Sequence, residues 1–349
     1  MKKIFLLTTA VSLIFATSVH AKIWRVNNNL NVSTDFTNTQ AAMASASVVS
    51  GDTIHIEASS NGYQNFGVTK KLTIIGVGYF LTENSPLIAN PKTQANTNGS
   101  YASYIEFLPG SKGSTISGMS GNIFYLEDSL ITIQRCNLNT GVFINTNGYN
   151  TYADTIRQNF MSQIGSNNND NSKAENLIIY NNIFTGYFTI YFQPNNINNN
   201  NGYFINNICT NNSSVFTCIN FTFQNDIFSN PNFQTYLSSN VYYNCISDNS
   251  TLGTANGNQQ NVNLDNVFVG WNSAAGYSTD GRFALKPGSP ALGAGVLNGG
   301  SVNCGNFGGP APYVLSGMPS VPSIYSFTAP STIASGTTTL NISVSTIAH

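Results

Sequence analysis

The sequence has 349 residues with 13 basic and 14 acidic side chains, and charged residues make up 8% of it. A balance so close to neutral provides no basic surface of the kind that binds nucleic acid. The hydrophobic share of 41%, with 12% aromatic residues, excludes a disordered chain, so we expect a folded protein with a neutral polar surface.

The chain begins with the features of a secretory signal peptide. Lys2 and Lys3 precede an uncharged apolar run over residues 4–15, and small residues lead up to Ala21. No later stretch approaches the roughly 20 apolar residues that a membrane-spanning helix needs. We therefore predict a signal peptide over residues 1–21 and a secreted or surface-attached protein without a membrane span.

A short helix is predicted ahead of the first strand. Residues 40–46 are small and helix-tolerant, and the alternating segment Gly51–Ile56 that follows is typical of a strand. This helix is expected to cap the first coil of the structure that follows. His55 lies on the strand, where alternation places it on the surface, so histidine catalysis is not expected.

The middle of the chain repeats a short β-rich run followed by an Asn-rich corner. The runs close on apolar residues separated by 22, 23, 25, 19 and 19 positions, namely Leu138, Phe160, Ile183, Ile208, Ile227 and Ile246. A coil of this length cannot form a core alone, so coils must stack in register and turn each aligned apolar position into an internal ladder. The repeat predicts a right-handed parallel β-helix over residues 22–310. Leucine-rich repeats and a β-sandwich fit the spacing less well.

Two positions before the closing residue, the repeat aligns a polar column. Its members are Cys136, Gln158, Asn181, Asn206, Asn225 and Asn244. Amides at a bend tolerate a left-handed backbone and can hydrogen-bond along the rod axis, which suits a sharp corner in every coil.

Five cysteines follow the signal peptide, an odd number that leaves at least one without an intramolecular partner. Their spacing matches no metal-binding pattern. Free cysteine is among the most often buried residue types, so we predict buried thiols. The alternative is a disulfide between Cys209 and Cys218, because a secreted protein folds in an oxidising compartment.

After residue 310 the composition shifts to Pro, Ser and Thr. Prolines bracket the segment Ser323–Phe327, and residues 337–345 alternate weakly like a strand. We predict a linker and short β tail over residues 311–349, which either docks on the rod or attaches the protein to a partner.

Segments at both ends of the predicted rod carry a resemblance to a known family. The opening segments are Thr39–Ala42, Gly51–Ile54, Gly62–Tyr63 and Leu72–Gly76, and the closing ones are Leu285–Gly295 and Cys304–Gly309. These segments resemble secreted bacterial right-handed β-helix proteins of the pectate-lyase-like superfamily, in particular those of Bacteroidetes type. Asn303 stands where such proteins usually carry an acidic residue. The resemblance implies the architecture. Enzymes of that superfamily use either a carboxylate cluster that binds Ca²⁺ with a basic residue or a carboxylate pair.

Acidic side chains are sparse in the repeat, and one group of charged residues stands out. Arg135 and Arg157 are 22 positions apart, which predicts that they stack on one outward face, with Asp154 opposite Thr132 and Asp128 nearby. Such a group would bind an acidic sugar, with an arginine as binder or base. The alternative is a pair of surface arginines neutralised by the two aspartates.

Tyrosines provide a second candidate site. An outward platform on which sugar rings stack is predicted for Tyr180, Tyr187, Tyr191 and Tyr243, although the same side chains could fill the rod interior.

The sequence gives little support for a cofactor. No zinc or phosphate-loop motif appears. Asp265 and Asp280 lie in turn-like settings that could hold Ca²⁺, a pattern common in loops.

Two functions follow from these features. The first is non-catalytic binding of carbohydrate or another extracellular partner along the solenoid face. The alternative is a polysaccharide lyase or glycoside hydrolase. The scarcity of carboxylates favours the first.

Overall fold

The coils of the chain stack into a parallel β-solenoid, which confirms the predicted all-β parallel β-helix. The computed structural model describes residues 21–83, 94–144, 148–166, 173–186, 201–210, 215–216, 218, 220–233, 239–273 and 276–348. The predicted signal peptide lies, apart from Ala21, outside the described residues.

Two long parallel sheets run along the solenoid. The strands of the first sheet are β1 (Ile23–Val26), β2 (Thr53–Ile56), β4 (Thr73–Ile75), β6 (Thr115–Ser117), β8 (Thr132–Gln134), β11 (Thr155–Arg157), β14 (Leu177–Tyr180), β16 (Gly202–Ile205), β19 (Phe221–Gln224) and β22 (Val241–Tyr243). Those of the second sheet are β3 (Phe66–Val68), β5 (Tyr104–Phe107), β7 (Ser120–Leu126), β9 (Asn137–Ile144), β12 (Phe160–Ser166), β15 (Ile183–Phe184), β17 (Ile208–Cys209), β20 (Ile227–Phe228) and β23 (Ile246–Ser247).

Shorter elements complete the fold. Strand β10 (Thr151–Tyr152) pairs with β13 (Ala174–Glu175), and β18 (Val215–Phe216) pairs with β21 (Asn232–Phe233), both parallel. Two antiparallel pairs follow the solenoid, β24 (Gly295–Leu297) with β25 (Gly300–Val302) and β26 (Ser323–Thr328) with β27 (Ser343–Ile347). Short 3-10 helices span Ala255–Gly257, Leu264–Asn266, Gly281–Phe283 and Leu315–Gly317.

Helix α1 (Thr39–Ala44) lies next to the first strands, as predicted for a cap. It begins at Asn38, whose side-chain oxygen accepts a hydrogen bond of 2.7 Å from the Ala41 amide. Ala42 and Met43 are buried in the same cluster as the first coils. The amine of Lys70 donates to carbonyl oxygens just past the end of the helix and holds it against the solenoid.

A ladder of apolar side chains fills the interior behind the first sheet. In register, each residue sits beside its equivalent in the next coil: Trp24, Ile54, Ile74, Ile116, Ile133, Ile156, Ile179, Phe204, Phe223 and Tyr242. Those from Ile54 to Phe223 are fully buried. Stacking therefore forms the core that no single coil could form.

Two adjacent polar columns turn the chain from the first sheet to the second. The corner residues with positive φ values are Arg135, Gln158, Asn181, Asn206, Asn225 and Asn244. The last five were predicted for the corner, whereas Arg135 occupies the position predicted for Cys136. The axial hydrogen bonds are made mainly one residue later, by the column Asn159, Asn182, Asn207 and Asp226. Each of their side chains accepts from the backbone amide of the equivalent residue in the preceding coil, at 2.7 to 2.9 Å.

The sequence alignment is wrong by one residue in the coil of β8. Phe160 pairs with Asn137, whereas the alignment placed it beside Leu138, which pairs with Met161. The alignment assumed an apolar residue at the closing position, but this column is polar in the open part of the sheet. The spacing between these two coils is therefore 23, and Ile133, not Gln134, occupies the interior ladder.

The closing apolar residues form one column, as predicted, but it does not face the tube interior. Ile183, Ile208, Ile227 and Ile246 are neighbours in register and fully buried. They belong to a second buried cluster that also contains Leu264, Phe268, Phe283, Cys304 and Tyr313. The residues that follow them, such as Phe184 and Phe228, point the other way into the tube. The outward side of the second sheet is thus covered in this half by the chain itself.

We call residues 303–320 the C-terminal strap, because they lie along the corner column. Asn206 donates to the carbonyl of Asn303, Asn181 to those of Asn306 and Gly308, Gln158 to that of Pro312, and Arg135 to that of Met318. The strap therefore includes the first part of the predicted linker. Beyond it, β26 and β27 form the predicted β tail.

All five cysteines of the sequence are free and buried. This agrees with their interpretation as small apolar side chains, and Cys209 and Cys218 form no disulfide.

Candidate functional site

The four charged candidates do not converge into a catalytic group. Arg157 pairs in register with Gln134, so the two arginines do not occupy equivalent positions in adjacent coils as predicted. The cause is the one-residue error in the alignment. The same shift places Asp154 beside Ile131 instead of Thr132, because Thr132 pairs with Thr155.

The two aspartates of this group are structural. Asp154 is buried inside the solenoid, and its Oδ1 accepts a hydrogen bond of 2.8 Å from the Ile131 amide. Burial raises the pKa of Asp154 to about 7. Asp128 accepts from the amides of Gly110, Lys112 and Ser129 and so fixes a turn. Neither carboxylate bonds to an arginine, which excludes the predicted neutralising pairs.

The predicted tyrosine platform is only partly described. Tyr187 and Tyr191 lie outside the described residues. The hydroxyl of Tyr180 accepts a hydrogen bond of 2.7 Å from Arg157, whose guanidinium lies 5.7 Å from the ring centre. Tyr243 is exposed on the first sheet, in the same column as Tyr180 but three coils away, with Ile205 and Gln224 between them. The described tyrosines of this set share one face but are not neighbours, so they do not form a continuous stacking surface.

The remaining candidates also have local roles. Asp280 is buried and accepts from the Tyr313 hydroxyl and the Ser316 amide, which anchors the strap. Asp265 accepts from the side chain of Asn272. His55 faces outward from the first sheet, and burial lowers its pKa. Within the described part of the chain, no three His, Cys, Asp or Glu side chains are grouped to hold a metal ion.

A row of aromatic side chains lies on the outward side of the second sheet, in the half that the strap does not cover. We call Tyr104, Tyr125 and Phe143 the aromatic row. The ring centres of Tyr104 and Tyr125 are 6.1 Å apart, and those of Tyr125 and Phe143 are 6.0 Å apart. Tyr104 is 39% exposed, and the other two are half-buried. The three rings lie on successive strands, β5, β7 and β9. Tyr125 and Phe143 are neighbours in register, whereas Tyr104 lies diagonally, two residues before Glu106, which pairs with Tyr125.

Polar groups in the same strands accompany the aromatic row. Asn139 donates to Asn122, which donates in turn to the Ser103 hydroxyl, both at 3.0 Å. These bonds fix the two amides, which lie three residues before Tyr125 and four residues before Phe143 in their strands. An ordered amide next to an aromatic ring provides directional hydrogen bonds together with an apolar stacking surface.

A cleft of about 780 Å³ lies at the N-terminal end of the row, between α1 and the second sheet. Its lining residues are Gln40, Met43, Ala44, Tyr63, Gln64, Asn65, Phe66, Gly67, Thr69, Tyr104 and Glu106. Gly67 pairs with Glu106, and a Cβ atom added at Gly67 would lie 2.7 Å from Cδ1 of Leu108, so the side chain of Leu108 packs against this glycine. The cleft has one carboxylate and no cationic side chain, so its hydrogen bonds come mainly from amides and hydroxyls.

The sequence analysis missed this site. Tyr104, Tyr125 and Phe143 alternate with buried residues in their strands, at offsets of 21 and 18. That pattern was available in the sequence. It was overlooked because these strands precede the Asn-rich corners on which the repeat was aligned.

Comparison with known proteins matched no family model, no curated protein and no solved structure. Among the described residues, no helix is long and apolar enough to cross a membrane.

Proposed function

We propose that this chain is a secreted or surface-attached protein that binds carbohydrate without catalysis, through the aromatic row and the adjoining cleft. The observation that carries the proposal is the row itself: three aromatic side chains on successive coils of an outward face, partly exposed and flanked by ordered amides. Sugar rings present C–H faces that stack on aromatic rings and hydroxyls that hydrogen-bond to amides.

A neutral glycan fits this surface best. Glu106 is the one charged side chain that lines the cleft, and a carboxylate there disfavours uronic acids. The three rings lie on successive coils, with Tyr104 offset by two residues from the column of Tyr125 and Phe143, so an extended polysaccharide chain along the rod would contact one ring per coil. The opening and closing segments that resemble the pectate-lyase-like superfamily agree with an extracellular glycan as ligand.

The alternative function, a polysaccharide lyase or glycoside hydrolase, has weaker support. It needs a converged acid and base or a carboxylate pair. Asp128 and Asp154 serve backbone amides, and the arginines bond to amide, hydroxyl and carbonyl groups.

The test is calorimetry with neutral oligosaccharides of the glucan, xylan and mannan types, and with pectic and alginate oligosaccharides for comparison. We expect at least one neutral glycan to bind, and Tyr125→Ala to weaken it about tenfold or more because a stacking face is lost. Tyr243→Ala, an exposed tyrosine on the first sheet, is the matched control and should bind as the unchanged protein does.

Two results would contradict the proposal. The first is binding of no neutral glycan. The second is the appearance of new reducing ends or unsaturated uronates, which would establish the enzymatic alternative.

A further inference from the structure

Arg135 and Arg157 form a diagonal pair at the corner beside the first sheet. Nε of Arg135 donates to Gln158 at 3.1 Å, and Nε of Arg157 donates to Gln134 at 2.7 Å. Each arginine therefore lies against a glutamine of the other coil. This reciprocal arrangement fixes both side chains and keeps the two charges close together.

The positive charges of this pair are not neutralised by a carboxylate. The salt bridge found in the described part of the chain joins Arg25 and Glu57, far from this corner. Burial lowers the pKa of Arg135, and the charge of Arg157 lowers it further. Two guanidinium groups that lie this close together without a carboxylate as ion-pair partner favour the binding of an anion.

The donors that remain available indicate the shape of the anion. Nη1 of Arg135 donates to the Met318 carbonyl and the Ser320 hydroxyl, and Nη1 of Arg157 donates to Tyr180. Nε of both residues is engaged, so neither arginine can offer the side-on contact through Nε and Nη2. Both Nη1 hydrogens of Arg135 are used, whereas Arg157 keeps one hydrogen on Nη1. Each retains Nη2, which has no partner among the described residues.

We propose that Arg135 and Arg157 together bind a tetrahedral oxyanion, a sulfate or phosphate group, with one Nη2 donor from each arginine. A tetrahedral anion has more acceptor oxygens than a carboxylate and directs them to several sides, so it can accept from Nη2 of Arg135 and from both donors that remain on Arg157. The site is formed by the first sheet and the strap and is independent of the aromatic row on the second sheet. An anion bound here would also hold the strap, because Arg135 contacts it.

The experiment measures the thermal unfolding temperature as sodium sulfate or sodium phosphate is added at low millimolar concentration and constant ionic strength. We expect a saturable rise, since a ligand that binds the folded state stabilises it. Arg157→Gln should abolish the rise, and Arg157→Lys, which keeps the charge, should reduce it severalfold. Lys112→Gln, which removes an exposed cation elsewhere, is the control and should keep the full rise.

Acetate and a sulfated or phosphorylated monosaccharide complete the design. We expect no rise with acetate, and the two monosaccharides show which ester the site prefers. An equal rise in the unchanged protein and in Arg157→Gln would be a general salt effect and would overturn the proposal. A rise with acetate as large as with sulfate would overturn the tetrahedral assignment.

Discussion

The outward side of the second sheet differs between its two halves. Toward the C-terminus, the closing column carries Ile183, Ile208 and Ile227, buried beneath the residues that follow the solenoid. Toward the N-terminus, the same column carries Ser120 and Asn137, and the aromatic row lies nearby, partly exposed. One face of one sheet thus changes from a covered apolar surface to an open aromatic and polar one.

This difference separates two uses of outward apolar side chains. Aliphatic residues in the covered half pack against the chain itself and contribute stability. Aromatic residues in the open half have a polar neighbourhood and an accessible face, which is the composition of a ligand site rather than of a core. The position of the cover, and not hydrophobicity alone, determines which role a residue has.

The largest effect is expected from a truncation in the covered half. Ile227→Ala should lower the free energy of unfolding by about 3 kcal/mol, because it leaves a cavity between the second sheet and the strap. The contact is close there: a Cβ atom added at Gly305 would lie 2.8 Å from Cδ1 of Ile227. Urea unfolding of the purified variant measures the change.

The control for this truncation lies in the open half. Tyr125→Ala should cost about 1 kcal/mol or less, because its side chain is half-exposed. Equal losses in the two variants would contradict the division of the face into a covered and an open half.

A smaller effect, which depends on pH, is expected from the buried carboxylate of Asp154. Asp154 faces the interior between Ile131 and Leu177, and its pKa is raised to about 7. A raised pKa means that the folded state binds its proton more tightly than the unfolded state. The associated stability is therefore present below about pH 4 and is lost as the pH rises toward 7, by up to about 1.4 kcal/mol per pH unit.

Asp154→Asn tests this assignment, because the amide oxygen can still accept from the Ile131 amide. The variant should be more stable than the unchanged protein at pH 8, and this advantage should disappear near pH 4. Urea unfolding at both pH values measures the difference. A difference that does not change with pH would show that Asp154 is not protonated in the folded state.

The sequence predicted the solenoid because stacking imposes a period on residues such as Ile183, Ile208 and Ile227, and a period is visible without coordinates. It did not predict that this column faces outward, since both sides of a strand are apolar where the chain covers the sheet. The sequence also did not predict the register of Arg135 and Arg157. Insertions in the coils change the spacing between equivalent residues, so the register follows only from the backbone pairing.

The pattern of the aromatic row could be predicted from the sequence, but the exposure of its side chains could not. Whether Tyr104 and Phe143 are exposed depends on where the strap passes, and the strap begins more than 150 positions after Phe143 in the sequence. Contacts at such separation leave no local pattern.

Hydrogen exchange measured by mass spectrometry, with and without a bound neutral glycan, tests the central claim most directly. We predict slower exchange in peptides that cover β5, β7 and β9, and unchanged exchange in β15, β17 and β20 of the covered half. Protection confined to the first sheet, around Tyr203 and Tyr243, would place the glycan elsewhere and contradict the account.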